Sequence, residues 1–154
     1  MRHIETGKIQ LIDFEYGGTN YAAFDIANHW NEHAGGTSAE ENGLADYTRF
    51  PSPERQMDFC LHYVKTSREL TTGAAADADA EADDDADDEG SLRAEASDLL
   101  DEVRRFLLVN HLYWGLWAVN QAAEEGCDEF DYINFATSRF GEFRAKKATA
   151  REGA

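Results

Sequence analysis

The chain has 154 residues, 42% of them hydrophobic, which is enough for one ordinary core and too little for two large domains. Fourteen Lys and Arg stand against 31 Asp and Glu, a formal charge of −17. This excludes nucleic-acid binding through a basic surface, because a phosphate backbone would be repelled.

The first residues, Met1-Arg2-His3-Ile4-Glu5, carry no apolar signal core. Two cysteines, Cys60 and Cys127, make no disulfide framework, so the expected location is cytoplasmic. Thr6-Gly7-Lys8 is a turn signal. After it, Ile9, Leu11 and Asp13 alternate with Gln10, Ile12 and Phe14, as in a strand. The expectation is a short β-hairpin beginning near Arg2, broken by Gly17-Gly18.

Asn20 is placed to cap a helix running to about Ala34, with Ala23, Ala27, Trp30 and Ala34 at helical spacing. Ser52-Pro53 reads as a cap and first-turn proline, opening a helix with the stripe Met57, Cys60, Leu61, Val64. From Asp77 to Glu89 nine of thirteen residues are acidic and none is basic, so this run carries more than half of the net charge. Its charges repel and it has little apolar surface to bury, so 71–90 is expected to be a disordered acidic insertion.

Ser91 can start the longest helix, with Leu99, Val103, Phe106, Asn110, Trp114, Trp117 and Gln121 on one stripe and Gly126 at its end. Phe106 to Val119 is its most apolar part, shorter than the ~20 residues of a membrane span. Asp128 or Asp131 opens a last helix bearing Tyr132, Ala136, Phe140 and Phe143, with fraying expected from Lys146. The pattern is therefore mainly α, with one N-terminal hairpin.

Three constellations suggest chemistry. Asp13, ending a strand before Phe14-Glu15-Tyr16, suits a hard cation, although a strand-ending Asp also simply caps a turn. Trp114 and Trp117 share a helix face, and Glu129, Phe130, Tyr132 and Phe135 follow the next turn. Such rings attract organic cations, and they equally make a core stripe. His29-Trp30-Asn31-Glu32-His33 fits the zinc-peptidase pattern H-x-x-E-H, a remote alternative because no third ligand can be singled out.

The run from Leu11 to Tyr21, continued by Phe24 to Glu32, closely resembles the choline/ethanolamine kinase family. So do Asp46-Tyr47-Thr48-Arg49-Phe50-Pro51, His111 to Ala118, and Glu129-Phe130-Asp131-Tyr132. The blocks keep the family's order from about Ile9 to Lys147, and the ending Asn31-Glu32 and the block from Asp46 to Glu54 favour the ethanolamine branch.

This resemblance implies the C-terminal lobe of a protein-kinase-like (α+β) fold, its N-lobe absent, over 1–147, with a polar tail at 148–154. It implies that Asp13, and with it Glu15, holds Mg²⁺. It implies that Tyr16, Glu32, Trp114, Trp117, Glu129, Phe130, Tyr132 and Phe135 line an amino-alcohol pocket. Phe135 stands where many members have tyrosine, and His33 where an aromatic is usual.

The implied activity is ATP-dependent phosphorylation of ethanolamine or choline, the entry step to phospholipid head groups. Its partners are the amino alcohol and ATP, and a homodimer is left open. No Gly-rich phosphate loop or N-lobe lysine is present, and the family's catalytic loop would fall just before His3. The chain alone is thus expected to be an inactive portion of a kinase. The rival reading is a non-catalytic module that binds an amino alcohol or docks a partner through its acidic arm.

Overall fold

The computed structural model describes residues 3–10, 15–72 and 86–152. Among them lie α1 (Ala22–Glu32), a 3-10 turn (Tyr47–Arg49), α2 (Pro53–Thr72), α3 (Ala86–Glu125) and α4 (Tyr132–Glu152). The mainly helical expectation stands.

The expected hairpin is corrected. Thr6-Gly7 does reverse the chain: His3 N–H donates to the Lys8 carbonyl at 2.8 Å, and Gly7 N–H to the His3 carbonyl at 2.9 Å. Yet no strand forms among the described residues beyond a single bridge residue, Ile9. Ile4 and Ile9 are almost fully exposed, so the turn has no apolar face to pack, and a lone hairpin is marginal in water. The remainder of the expected strand, 11–14, lies outside the described residues. The β component of the expected kinase-like lobe is therefore not found among the described residues.

α1 buries the expected Ala23, Ala27 and Trp30, with Ala34 just past its end and Ile26 and Asn31 added. The alanines let it approach α3 closely. Asn20 falls one residue short of the expected cap: its Oδ1 accepts from Tyr21 N–H at 2.8 Å, and Tyr21 takes the capping position without a side-chain bond.

α2 begins where Ser52-Pro53 predicts, with Ser52 Oγ accepting from Arg55 N–H. Cys60 and Val64 are buried against α1 and α3, flanked by Met57 and Leu61.

α3 is already helical at Ala86, the first residue described after α2 and five residues before the expected Ser91. Two features favour the earlier start. Acidic residues are stabilised at a helix N-terminus by its dipole. Arg68 of α2 also reaches over to Asp88 (2.7 Å), Ser91 (2.9 Å) and Glu95 (2.7 Å), while Glu89 pairs with Arg93 one turn on. Thus 86–90, assigned above to a disordered insertion, are helical, as are 71–72 at the other end. Residues 73–85 lie outside the described residues.

At 40 residues α3 is about 60 Å long and packs against each of the other helices. Its first half buries Ala96, Leu100, Val103 and Leu107 with α1 and α2. Its second half meets α4 at Ala118, Phe135 and Ala136. Glu125 ends α3 before Gly126, as expected. Asp131 caps α4, its Oδ1 accepting from Asn134 N–H at 2.8 Å. α4 continues to Glu152, past the Lys146 at which fraying was expected.

Candidate functional site

The second half of α3 and the first turns of α4 approach at a residue without a side chain. A Cβ on Gly115 would lie 2.5 Å from the Phe140 ring. This close approach sets α4 beside the two indoles. Trp114 and Trp117 meet edge to face with centroids 5.4 Å apart. Trp117 also contacts Tyr132 (5.7 Å) and Phe135 (6.3 Å), and Phe130 contacts both of those (4.9 and 6.0 Å).

Tyr16 closes the group from the N-terminal segment. Its ring lies 5.7 Å from Trp114 and 6.3 Å from Trp117, and its hydroxyl accepts from Trp117 Nε1 at 3.2 Å. Six of the expected pocket residues thus form one continuous ring cluster. Most pairs are edge to face, each contributing about 0.5–1.5 kcal/mol beyond area burial. Phe135 is the buried floor; Trp114, Trp117, Phe130 and Tyr132 are half-buried, and Tyr16 is exposed.

A relay of amides holds Trp114. Its Nε1 donates to Asn28 Oδ1 at 2.6 Å, and the same oxygen accepts from Asn110 Nδ2 at 2.9 Å. Asn110 Oδ1 in turn accepts from Asn31 Nδ2 at 2.8 Å. Asn110 and Asn31 are fully buried, so these bonds are made away from competing water.

Two carboxylates reach the cluster by different routes. Glu125 Oε2 accepts from the Tyr132 hydroxyl at 2.9 Å, which holds that phenol above its ordinary pKa, and Glu125 Oε1 accepts from Gln121 Nε2 at 3.0 Å. Glu32 lies 3.6 Å from Arg139 Nη2, and that guanidinium sits 5.1 Å over the Phe135 ring. Glu129 is exposed beside Phe130.

The expected metal residue Asp13 lies outside the described residues; Glu15 is described and exposed. His29 and His33 have ring centroids 5.3 Å apart, but no group of three or more His, Cys, Asp or Glu is placed to hold a metal among the described residues. Glu32, the acid of the H-x-x-E-H pattern, is paired with Arg139.

The segment between α1 and α2 braces this arrangement. Asn42 Oδ1 accepts from Asp131 N–H at 2.9 Å, and Gly43 (φ +88°) passes so close that a Cβ would lie 2.7 Å from the Asp131 carbonyl. Glu41 accepts from Gly36 N–H and from Arg49, which lower its carboxyl to a pKa of about 2. Tyr47 packs edge to face on His111 at 5.7 Å. His111 is completely buried; burial first, then the charges of Arg139 and Lys146, push its pKa down to about 3.

The choline/ethanolamine kinase family model matches residues 1–144. The chain belongs to the choline/ethanolamine kinase family. It is 35% identical over 147 residues to a probable ethanolamine kinase of Arabidopsis thaliana, covering 96% of this chain and 32% of the relative. It is 34% identical over 137 residues to ethanolamine kinase 1 of Mus musculus (89% and 32%), and 36% identical over 134 residues to a human choline/ethanolamine kinase (86% and 30%). The chain therefore spans about a third of the length of the curated relatives it matches.

Against this family background, three features escaped the sequence reading. Asn28 lies within the family-like run from Phe24 to Glu32; its signal is the one-turn step to Glu32 on a helix whose Asn28 meets Trp114. Arg139 stands four residues after Phe135 on α4, where a buried cation would not be expected. Glu125 lies seven residues before Tyr132, across a turn whose geometry the sequence did not fix. No described helix is long and apolar enough to cross a membrane.

Proposed function

We propose that this chain supplies the amino-alcohol-binding part of an ATP-dependent ethanolamine or choline kinase. The observation that carries this reading is the six-ring cluster of Tyr16, Trp114, Trp117, Phe130, Tyr132 and Phe135 with carboxylates at its edge. Indole and phenol faces attract an organic cation, by roughly 0.5–2 kcal/mol per well-placed ring. A primary ammonium also donates hydrogen bonds to carboxylates, and these charge-assisted bonds are the stronger kind. Glu125, with Glu129 at the rim, favours ethanolamine over a trimethylammonium that can only stack, while Glu32 is held by Arg139.

In the reaction, the alcohol oxygen would attack the terminal phosphorus of ATP, the bond from that phosphorus to the bridging oxygen breaks to release ADP, and the alcohol proton passes to a base outside the residues assigned here; positioning supplies most of the catalysis. The role of this chain is to hold the ammonium end so that the hydroxyl faces the phosphate. Asp13 and Glu15 would hold Mg²⁺, a hard cation that favours one or two carboxylates together with phosphate oxygens. When bound, it neutralises charge on the ATP phosphates. The product, a phosphorylated amino alcohol, is a phospholipid head-group precursor.

Calorimetry of the purified chain with ethanolamine and with choline tests this reading. Saturable binding of ethanolamine, lost in Trp117→Ala, is expected. Heats that do not saturate, from a chain with a folded circular-dichroism spectrum, would remove it and favour a module that docks partners through its acidic arm.

A further inference from the structure

Buried polar groups in folded proteins are almost always hydrogen-bonded, so one without a protein partner points to something else that supplies the bond. Three such side chains meet where the 3-10 turn, α3 and α4 come together. His111 is completely buried, and neither ring nitrogen has a hydrogen-bond partner among the described residues. Arg139 is nearly as buried; its Nη2 faces Glu32, but its Nε has no hydrogen-bond partner among them. The Tyr47 hydroxyl is buried and unpartnered in the same way.

The three share one neighbourhood. Tyr47 packs edge to face on His111 with centroids 5.7 Å apart. Burial is the first influence on the ionisation of both groups, and the charge of the Arg139 guanidinium is the second on each. Polar groups that stand this close without a direct bond are the ones a water molecule bridges. We propose that Tyr47, His111 and Arg139 form a buried binding site for an ordered water molecule that ties the 3-10 turn, α3 and α4 together. Burial keeps the imidazole neutral, so it offers one N–H donor. The water accepts from that N–H and from Arg139 Nε–H, and donates to the Tyr47 oxygen. About three bonds is the usual complement of an internal water.

Charge selects a neutral occupant. Arg139 is already faced by Glu32 at 3.6 Å, and Lys146, the other cation acting on His111, lies 4.0 Å from Glu142. An anion here would be a surplus charge held away from bulk water. A metal cation is refused by a guanidinium, which offers only donors. The water thus fixes Arg139 on its Nε side, as Glu32 does at Nη2 and the Phe135 ring does 5.1 Å beneath it. This assignment does not depend on what the ring cluster binds.

Nuclear magnetic resonance of the whole chain tests the site, by water-selective cross-relaxation at the His111 ring N–H and the Arg139 Nε–H. In the wild type both protons should contact a water that stays bound for longer than the molecule takes to tumble. Tyr47→Phe keeps the ring on His111 and removes the hydroxyl. It should weaken both contacts and speed exchange of both protons with solvent about fivefold or more. The wild-type contacts decide alone should Tyr47→Phe fail to fold. A wild-type chain with no water contact at either proton overturns the proposal, as does exchange that a folded Tyr47→Phe leaves unchanged. Shifts of both signals that saturate with added chloride or inorganic phosphate also overturn it, in favour of a small anion.

Discussion

The Arg139 guanidinium bridges the two halves of the candidate site, lying 3.6 Å from the Glu32 carboxylate of α1 and 5.1 Å above the Phe135 ring of α4. Arg139 is only 4% exposed, whereas Glu32 is about half exposed. Removing the carboxylate leaves a buried cation with less counter-charge; removing the cation leaves an acid that water can still solvate. Glu32→Gln is therefore expected to destabilise the chain by about 1 kcal/mol, after discounting for the exposure of Glu32. Arg139→Met, similar in volume, is expected to cost less. Urea unfolding of both variants checks the order, and a larger loss for Arg139→Met would show that stacking on Phe135 outweighs the ion pair.

The amide relay gives a larger effect. Asn28 Oδ1 accepts from both Trp114 Nε1 and Asn110 Nδ2. Asn28→Ala strands two donors, one of them fully buried, each costing about 1–3 kcal/mol. The predicted loss is about 2–4 kcal/mol, accompanied by a change in near-UV circular dichroism as the Trp114 indole loosens. Asn28→Asp keeps an acceptor oxygen and should recover part of the loss. Equal losses for the two variants would mean that the contact is packing and not hydrogen bonding.

These two relationships show what the sequence could carry. The helical stripes and the Gly126 stop were legible because burial follows a 3.6-residue period and left-handed backbone favours glycine. The six rings could be named because a family resemblance grouped residues from three distant segments; periodicity alone offered a core stripe. Arg139, Asn28 and Glu125 were not legible, since their partners lie 107, 82 and 7 residues away and depend on how α1, α3 and α4 pack. The hairpin is not seen among the described residues: its alternation is local and real, but Ile4 and Ile9 are left exposed there.

Two glycines on α3 should respond to alanine in opposite directions. Gly90 has nothing within 4 Å of its would-be Cβ, so Gly90→Ala gains only helix propensity and should stabilise by about 0.5–1 kcal/mol. Gly115→Ala gains the same propensity but places its methyl 2.5 Å from the Phe140 ring. Overpacking of a well-filled interface costs about 1–3 kcal/mol, so the clash prevails and the variant should be less stable. Phe140→Leu in the Gly115→Ala background should relieve part of that cost. Thermal melts of the three variants decide it; a stabilised Gly115→Ala would mean that α4 can shift away freely.

The last prediction concerns acid. His111 has its pKa held at about 3 in the fold, below its ordinary 6.5, chiefly because it is buried. As pH falls, the unfolded chain takes up this proton first. The contribution of His111 to stability is therefore fully present above about pH 6.5 and is lost progressively between there and about pH 3, at up to ~1.4 kcal/mol per pH unit. His33, also lowered by burial, adds in the same direction. Glu41 starts to contribute only lower down: its pKa of about 2 lies below the ordinary 4.5, so its stabilisation is lost as pH falls from about 4.5 toward 2. The interval between pH 6.5 and 4.5 accordingly belongs mainly to His111. Urea midpoints of the wild type should fall steadily across that interval, and those of His111→Gln should stay nearly level until the carboxylates protonate. A wild-type profile as flat as that of the variant would mean that the imidazolium is accommodated between Tyr47 and Arg139 after all.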